Sequence, residues 1–264
     1  MVTVATWNVN SIKSRLTHLL DWLRADKPDI VLLQELKCTN ENFPAIEIED
    51  LGYNLAVHGE KTYNGVAILS KFPLDDIKKG LSGDDTDIQS RYIEAVINLQ
   101  NTAIRVASVY VPNGQTTDSE KYQYKLRFLE RFKEHCKKLL SYEEMLVIGG
   151  DYNIAPTDAD VHNPKAWQGS VLTHDDVRAA WRRIEHLGLY NAFKLPINHQ
   201  PSTTNYSWWD YRAGAFERDD GLLIDHLLLS PQAADKAQSC TINKHLRALE
   251  KPSDHTPVIV TLAV

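Results

Sequence analysis

The sequence predicts an α/β fold in which two β-sheets pack face to face with helices outside. Three observations carry this. Short apolar runs rich in β-branched residues recur along the chain and read as buried strands. Stripes of apolar residues at helical spacing lie between them, so strands and helices alternate. Six of the runs end in, or pass through, a residue that can hold a cation or move a proton, as they would if one sheet edge assembled a single site.

Taken in order, Val4-Ala5-Thr6-Trp7 leads into Asn8-Val9-Asn10. Ile12, Leu16, Leu19, Leu20 and Leu23 then share a helical face, and Pro28 stops that segment. Ile30-Val31-Leu32-Leu33 ends at Gln34-Glu35. Further runs cover residues 65–69, 92–97 and 104–111, the last passing through Tyr110. The first half of the chain ends near Gln115, inside the polar loop 113–119. Tyr122, Leu126, Leu129, Phe132, Cys136 and Leu139 predict a second helix. Met145-Leu146-Val147-Ile148 ends at Gly149-Gly150-Asp151-Tyr152-Asn153. There the glycines permit close backbone approach, and strand alternation puts Asp151 and Asn153 on one side. Thr173-His174-Asp175-Asp176 reads as a capping box for a third helix, with Val177, Ala180, Trp181, Ile184 and Leu187 as its apolar face and Gly188 as its stop. The run 222–229 carries Asp225. Ser253-Asp254-His255 opens the final run, 257–262. No low-complexity linker divides the chain, so residues 1–264 read as one domain.

Composition narrows the classes. A hydrophobic content of 43% and a charged content of 24% over 264 residues are ordinary for a globular protein with a large core. No apolar stretch is long enough to cross a membrane, and no leader of the secretory type is visible. Cys38, Cys136 and Cys240 are far apart, odd in number and lack zinc spacing, which reads as reduced thiols in a cytoplasmic protein. A net charge of -6 argues against general coating of nucleic acid. It leaves room for a local basic face, for which Arg91, Lys121, Lys125, Arg178, Arg182 and Arg212 are the candidates.

The strand-end residues suggest chemistry. Asn8 and Glu35 offer hard oxygen donors, which suit Mg²⁺ or Mn²⁺ rather than zinc. Asp225 inside an apolar run needs a partner, and an imidazole such as His255 is the natural one. His226 beside it should face the other way and is left unassigned. Asp151, Asn153, Tyr110 and an Asp225–His255 pair together are suited to positioning water and stabilising charge on a phosphoryl group. Each residue alone has a plain alternative: a solvated strand-end acid, a polar turn or a core aromatic. The conjunction favours a site. Neither a phosphate-binding Gly-x-x-x-x-Gly-Lys loop nor a Gly-x-Ser-x-Gly elbow is present.

With these residues in order, the chain resembles the exonuclease III family of apurinic/apyrimidinic (AP) DNA-repair endonucleases, within the endonuclease/exonuclease/phosphatase superfamily. The resemblance runs from Thr6-Trp7-Asn8-Val9-Asn10 through Leu33-Gln34-Glu35-Leu36-Lys37, Tyr63-Asn64-Gly65-Val66-Ala67-Ile68 and Tyr110-Val111-Pro112-Asn113-Gly114. It continues through Gly150-Asp151-Tyr152-Asn153, Ser207-Trp208-Trp209-Asp210-Tyr211-Arg212 and Gly221-Leu222-Leu223-Ile224-Asp225 to Pro252-Ser253-Asp254-His255-Thr256-Pro257-Val258. It implies a four-layer α/β sandwich of two mixed sheets flanked by helices. It implies Glu35 as the main ligand of Mg²⁺, for which Mn²⁺ substitutes, with Asn8, Asn10, Asp254 and, around the same centre, Asp151, Asn153 and His255. Asp151 would orient or deprotonate the attacking water, with Asn153 holding it. His255, paired with Asp225, would contact the scissile phosphate, and Tyr110 would stabilise developing charge. Trp208, Leu222 and Ile224 match an apolar pocket for an extruded abasic sugar, and Asn10, Arg91, Asn113 and Arg212 would contact substrate. The implied partner is double-stranded DNA with abasic sites or blocked 3' ends, acted on by a monomer in the cytoplasm, at the nucleoid if the source is bacterial. Two departures stand out. Leu223 occupies a position where such enzymes often carry Arg, and the segment 163–176, where the family varies its DNA-contacting loops, is short. That segment would decide between AP cleavage and 3'-end trimming. Two other readings compete: a superfamily phosphatase or phosphodiesterase acting on RNA, an inositol phosphate or a phospholipid, and a non-catalytic interaction module.

Overall fold

Strand β1 (Val2–Asn8) leads through helix α1 (Leu16–Ala25) to β2 (Ile30–Gln34) in the computed structural model, which describes residues 1–197 and 206–264. The short α2 (Ala45–Glu49) follows, then β3 (Asn54–His58), β4 (Val66–Ser70), β5 (Leu74–Lys79), β6 (Tyr92–Asn98) and β7 (Ala103–Tyr110). The long α3 (Glu120–Leu140) precedes β8 (Leu146–Asp151). After it come α4 (Pro164–Trp167), α5 (Asp175–Glu185), β9 (Tyr190–Asn191), β10 (Asp225–Leu229), α6 (Pro231–Ala234), β11 (Ala237–Ile242) and β12 (Val258–Leu262). No helix among the described residues is long and apolar enough to cross a membrane.

Two mixed six-stranded sheets result, in the orders β11-β12-β1-β2-β4-β3 and β5-β6-β7-β8-β10-β9. The halves of the chain do not map onto the sheets: β5, β6 and β7 precede Gln115 yet belong to the second sheet, and β11 and β12 return to the first. Two pairs are parallel, β1 with β2 and β7 with β8, and each is joined by a crossover that includes a helix, α1 or α3.

The four layers follow from strand alternation. On the outer face of the first sheet, Ala5, Trp7, Val31 and Leu33 pack with Leu19, Trp22 and Leu23 of α1. Between the sheets, Val4, Leu32 and Ile68 meet Val106, Val147 and Leu227. Beyond the second sheet, Ala107, Val109, Ile148 and Leu228 pack with Phe128, Phe132, Val177, Trp181 and Ile184 of α3 and α5. The predicted helices are present with three corrections. Ile12 is buried in the turn before α1 rather than on the helix. The buried face of α3 includes Lys125 and His135, while Leu126 is only partly covered. The N-cap of α5 is His174, whose Nδ1 accepts from the Asp176 amide at 3.3 Å, because the Thr173 hydroxyl is taken by the Trp167 carbonyl.

Two features hold the sheets together directly beneath the polar edge. Gln34 Nε2 crosses the interface to Ser108 Oγ at 2.9 Å, and Ser108 Oγ donates to the Leu33 carbonyl at 2.8 Å, so the buried amide is satisfied between layers. At Gly149 an added Cβ would lie 2.7 Å from Leu32 Cδ1, and at Gly150 it would lie 2.0 Å from the Val109 carbonyl oxygen. The expected close approach is real, and it brings β8 against both its neighbour and the opposite sheet.

Candidate active site at the joined sheet edges

Register explains why the strand-end residues converge. Asn8 pairs with Gln34 in the first sheet, and Asp151 pairs with both Tyr110 and Asp225 in the second. The C-terminal ends of β1, β2, β7 and β8 and the N-terminal end of β10 thus open on the same side. The site spans the edges of two sheets, where the sequence suggested one. Asp225 starts β10 rather than lying within a strand, because residues 222–224 form a loop bridged through Leu222 to Val161 and Trp208.

Asn8 joins the two sheets: its Nδ2 donates to Glu35 Oε1 at 2.9 Å and to Asp151 Oδ2 at 2.9 Å. Its Oδ1 accepts from the Asn10 amide at 2.9 Å. Asn8 therefore shows the carboxylates its NH₂ group and not the oxygen expected to ligate an ion. Glu35 also accepts from the Tyr110 hydroxyl at 2.9 Å and pairs through Oε2 with Lys37 Nζ at 2.9 Å. Burial opposes ionisation of Glu35, but the Lys37 charge and the Asn8 amide overcome it and hold the carboxyl below its ordinary range. Lys37 also donates to Asn10 Oδ1, so one ammonium sits on an oxygen of Glu35 and an oxygen of Asn10. Asn10 Nδ2 reaches Asp254 Oδ1 at 2.9 Å.

On the other side of Asn8 lies a buried acid–imidazole–acid group. His255 Nδ1 meets Asp225 Oδ2 at 2.8 Å, and its Nε2 faces Asp151 Oδ2 at 3.7 Å. All three are buried, with their potential ligand atoms within 4.8 Å of one another. Burial opposes the imidazolium, yet the charges of Asp225 and Asp151 hold its pKa up at about 10. Burial pushes Asp151 up to about 7; His255 opposes this shift, and the charges of Asp225 and Glu35 add to it. With Nδ1 on Asp225 and the imidazolium favoured by both carboxylates, His255 is poised to donate from Nε2. Tyr110, buried beside Glu35 and Asp151, is held well above the ordinary phenol range by burial and those charges, so it stays a hydroxyl donor.

Asn153 joins Asp151 through a turn rather than through strand alternation. Its backbone is left-handed, at φ +50°, its amide donates to Asp151 Oδ1 at 2.9 Å, and its Nδ2 donates to the Val111 carbonyl at 3.0 Å. Asn113 Nδ2 donates to Asn153 Oδ1 at 2.8 Å. Arg91 stacks on Tyr110 with its guanidinium 4.7 Å from the ring centroid. With Tyr63, Asn113, Lys121 and Tyr124 these two residues line a cleft of about 600 Å³ next to the centre.

Other expected residues fall elsewhere. Arg212 is 87% exposed and pairs with Asp210 in its own loop, outside the cluster. Leu222 and Ile224 are 0% and 2% exposed, so they support Trp208 from the core instead of forming an open wall. Trp208 is half-buried; its Nε1 donates to Asp254 Oδ2 at 3.0 Å, and its ring meets Trp167 edge-on at 5.9 Å. Lys125, a candidate for the basic face, is fully buried on α3, and burial pushes its amine down to about 7 against the opposing Asp151 charge. Arg178 is occupied by Asp158 and the Ala155 carbonyl, and Arg182 is exposed on α5.

Sequence reasoning missed three supports. Ser207 Oγ donates to Asp225 Oδ2 at 2.6 Å, Ser253 Oγ donates to the Asn8 carbonyl at 2.7 Å and accepts from the His255 amide, and Lys37 holds Glu35. All three stand inside the quoted motifs, but a serine or a lysine beside an acid carries no signal of its own until the acid's position is known.

Residues 5–255 match the endonuclease/exonuclease/phosphatase family. Exodeoxyribonuclease III of Haemophilus influenzae is 33% identical over 260 residues, covering 96% of this chain and 97% of its own. The structure of an AP endonuclease from Archaeoglobus fulgidus is 38% identical with a TM-score of 0.91, covering 100% of both chains. That of a 3' phosphatase from Neisseria, bound to a product DNA hairpin, is 36% identical with a TM-score of 0.94, again over 100% of both chains. The buried Asp–His–Asp group, the two-sheet frame that carries it and these likenesses agree: the chain belongs to the endonuclease/exonuclease/phosphatase family, in its exodeoxyribonuclease III and AP endonuclease branch, and is a hydrolytic nuclease.

Proposed function

We propose that this protein is a Mg²⁺-dependent DNA-repair phosphodiesterase that cleaves beside abasic sites and trims blocked 3' ends. The observation that carries the reading is the Asn8 amide, which ties Glu35 to Asp151 across the two sheets at 2.9 Å on each side. On this reading a cation-holding carboxylate stands beside a proton-accepting one. The donor set fits a hard divalent ion. Glu35 is kept ionised, and its Oε2 and the Asn10 oxygen already converge on one ammonium, with the Asp254 carboxylate next to them. Glu35, Asn10 and Asp254 would hold the ion, which when bound supplies charge neutralisation at the leaving oxygen. Asp151 accepts the proton of the attacking water, with Asn153 and Asn8 fixing its carboxylate. The His255 imidazolium, oriented by Asp225, donates to a phosphoryl oxygen from Nε2. The Tyr110 hydroxyl supplies a second donor for the charge that develops. All these residues come from one chain, so a monomer suffices.

The test is nicking of a duplex with one abasic site, run beside a duplex with a 3'-phosphate, with and without EDTA. EDTA-sensitive cleavage of either duplex, with affinity falling steeply as salt rises, is expected. Turnover of RNA or an inositol phosphate with neither duplex cleaved would sink the DNA reading.

A second reading, 3'-end trimming as the main activity, is favoured by one contact. Trp167, from the segment 163–176, meets the ring of Trp208 and leaves less of it for an extruded sugar. Trp208→Ala separates the two. AP cleavage requires the sugar to leave the stack, so it is expected to fall on the order of tenfold or more relative to removal of a 3'-phosphate. Trp208→Phe keeps a ring but frees Asp254, which isolates the hydrogen-bond effect. Equal losses on both substrates, in protein shown folded by circular dichroism, would leave Trp208 a structural residue.

A further inference from the structure

Lys125 is a basic side chain with no exposed surface, and its Nζ makes no ion pair with a carboxylate among the described residues. Its three donors go to three backbone carbonyls: Asn113 at 3.1 Å, Asn153 at 2.7 Å and Val171 at 2.7 Å. A lysine has three N–H donors and no acceptor, so the match is complete. The carbonyls belong to three different loops: the one after β7, the one after β8 and the one between α4 and α5. The first also presses on the lysine stem, where a Cβ added at Gly114 would lie 3.3 Å from Lys125 Cδ. The first two loops carry the Asn113–Asn153 side-chain pair and the Asn153 contacts to Asp151, and the third follows directly on Trp167, the last residue of α4, whose ring meets Trp208.

We propose that Lys125 is a positioning residue for catalysis, whose ammonium locks these three loops in one arrangement and, through Asn153, sets the Asp151 carboxylate. A buried cation is costly, and an apolar side chain on α3 would serve packing better. What no apolar residue can do is saturate three convergent carbonyls at once. Burial pushes the amine down to about 7, and the charge of Asp151 opposes this, while the three convergent carbonyls match the three donors of an ammonium. The proposal rests on the phosphodiesterase reading for its kinetic readout and on the Asn pair for a second readout that needs no turnover.

The experiment compares Lys125→Met, Lys125→Arg and a control, Leu139→Ala, which weakens the far end of α3 without touching the loops. Turnover on the abasic-site and 3'-phosphate duplexes is measured per folded molecule. The side-chain amide signals of Asn113 and Asn153 are followed by NMR in the same proteins. Lys125→Met is expected to lower kcat on the order of 10- to 100-fold, with KM for the duplex within about threefold of the parent. Lys125→Arg is expected to fall between the two, and the control to keep the parental kcat. The Asn153 amide signals are expected to move in Lys125→Met and not in the control. Parental kcat in folded Lys125→Met, or unmoved Asn signals, would overturn the proposal. If Lys125→Met does not fold, Lys125→Arg decides, and parental kcat together with parental signals there overturns it. If the parent cleaves neither duplex, the phosphodiesterase reading fails while the Asn signals still decide the role of Lys125.

Discussion

Glu35→Gln is expected to abolish most turnover and to weaken binding of the divalent ion, while the fold stays intact. The amide oxygen of Gln still accepts from Asn8 and Tyr110, as Glu35 Oε1 does now. Its NH₂ then faces the Lys37 ammonium in place of Oε2, and the anionic charge is gone. An ion acting on a phosphoryl group contributes several kcal/mol, so a loss on the order of 10³-fold is expected. Mn²⁺ titration by EPR measures the binding, and single-turnover nicking measures the rate. Near-parental activity at limiting Mg²⁺ would remove Glu35 from the ion site.

Asp151→Asn is expected to remove turnover but preserve duplex binding, because the loss lies in accepting a proton from water and not in docking. A fall of about 10²- to 10⁴-fold is in the range for a positioned general base. The pH profile gives this prediction a sign. Only the ionised carboxylate accepts a proton, and burial raises the Asp151 pKa to about 7, so activity should climb as pH rises through that region. The His255 imidazolium, kept to about 10 by Asp225 and Asp151, is the donor form, so activity should decline again as pH rises through its pKa. A bell with these limbs is expected in the parent. The residual activity of Asp151→Asn should lack the acid limb. An acid limb that survives the substitution would assign the base elsewhere.

Much of this site was legible in the chain because strands impose simple rules. A run that ends in the interior puts its next residue at a sheet edge, and parallel pairing of β1 with β2 and of β7 with β8 aligns those ends. The strand pattern therefore put Asn8, Glu35, Tyr110 and Asp151 at strand ends, and the cost of burying Asp225 pointed to an imidazole such as His255 before any geometry was known. The burial of Leu222 and Ile224 was not legible, for the opposite reason. They lie in a loop held by isolated bridges, where no periodicity tells the core side from the cleft side. The pairing of Arg212 with its own neighbour Asp210 was not legible, because a basic residue near an aromatic motif reads alike whether it faces a ligand or its own loop.

The sequence by itself determined the alternation of strands and helices, most of the apolar helix faces, the polar strand ends and, through the order of its motifs, the family. Only the tertiary structure decided which atoms of those residues face one another. Asn8 presents its NH₂ group rather than its oxygen because Asn10 occupies the oxygen and two carboxylates compete for the hydrogens. Lys125 is interior because three loops far apart in sequence bring their carbonyls to one point on α3. Hydrophobic patterning is a property of neighbours along the chain and can be read there. Hydrogen-bond and charge partners are set by distances across layers, and those exist only once the two sheets have closed on each other.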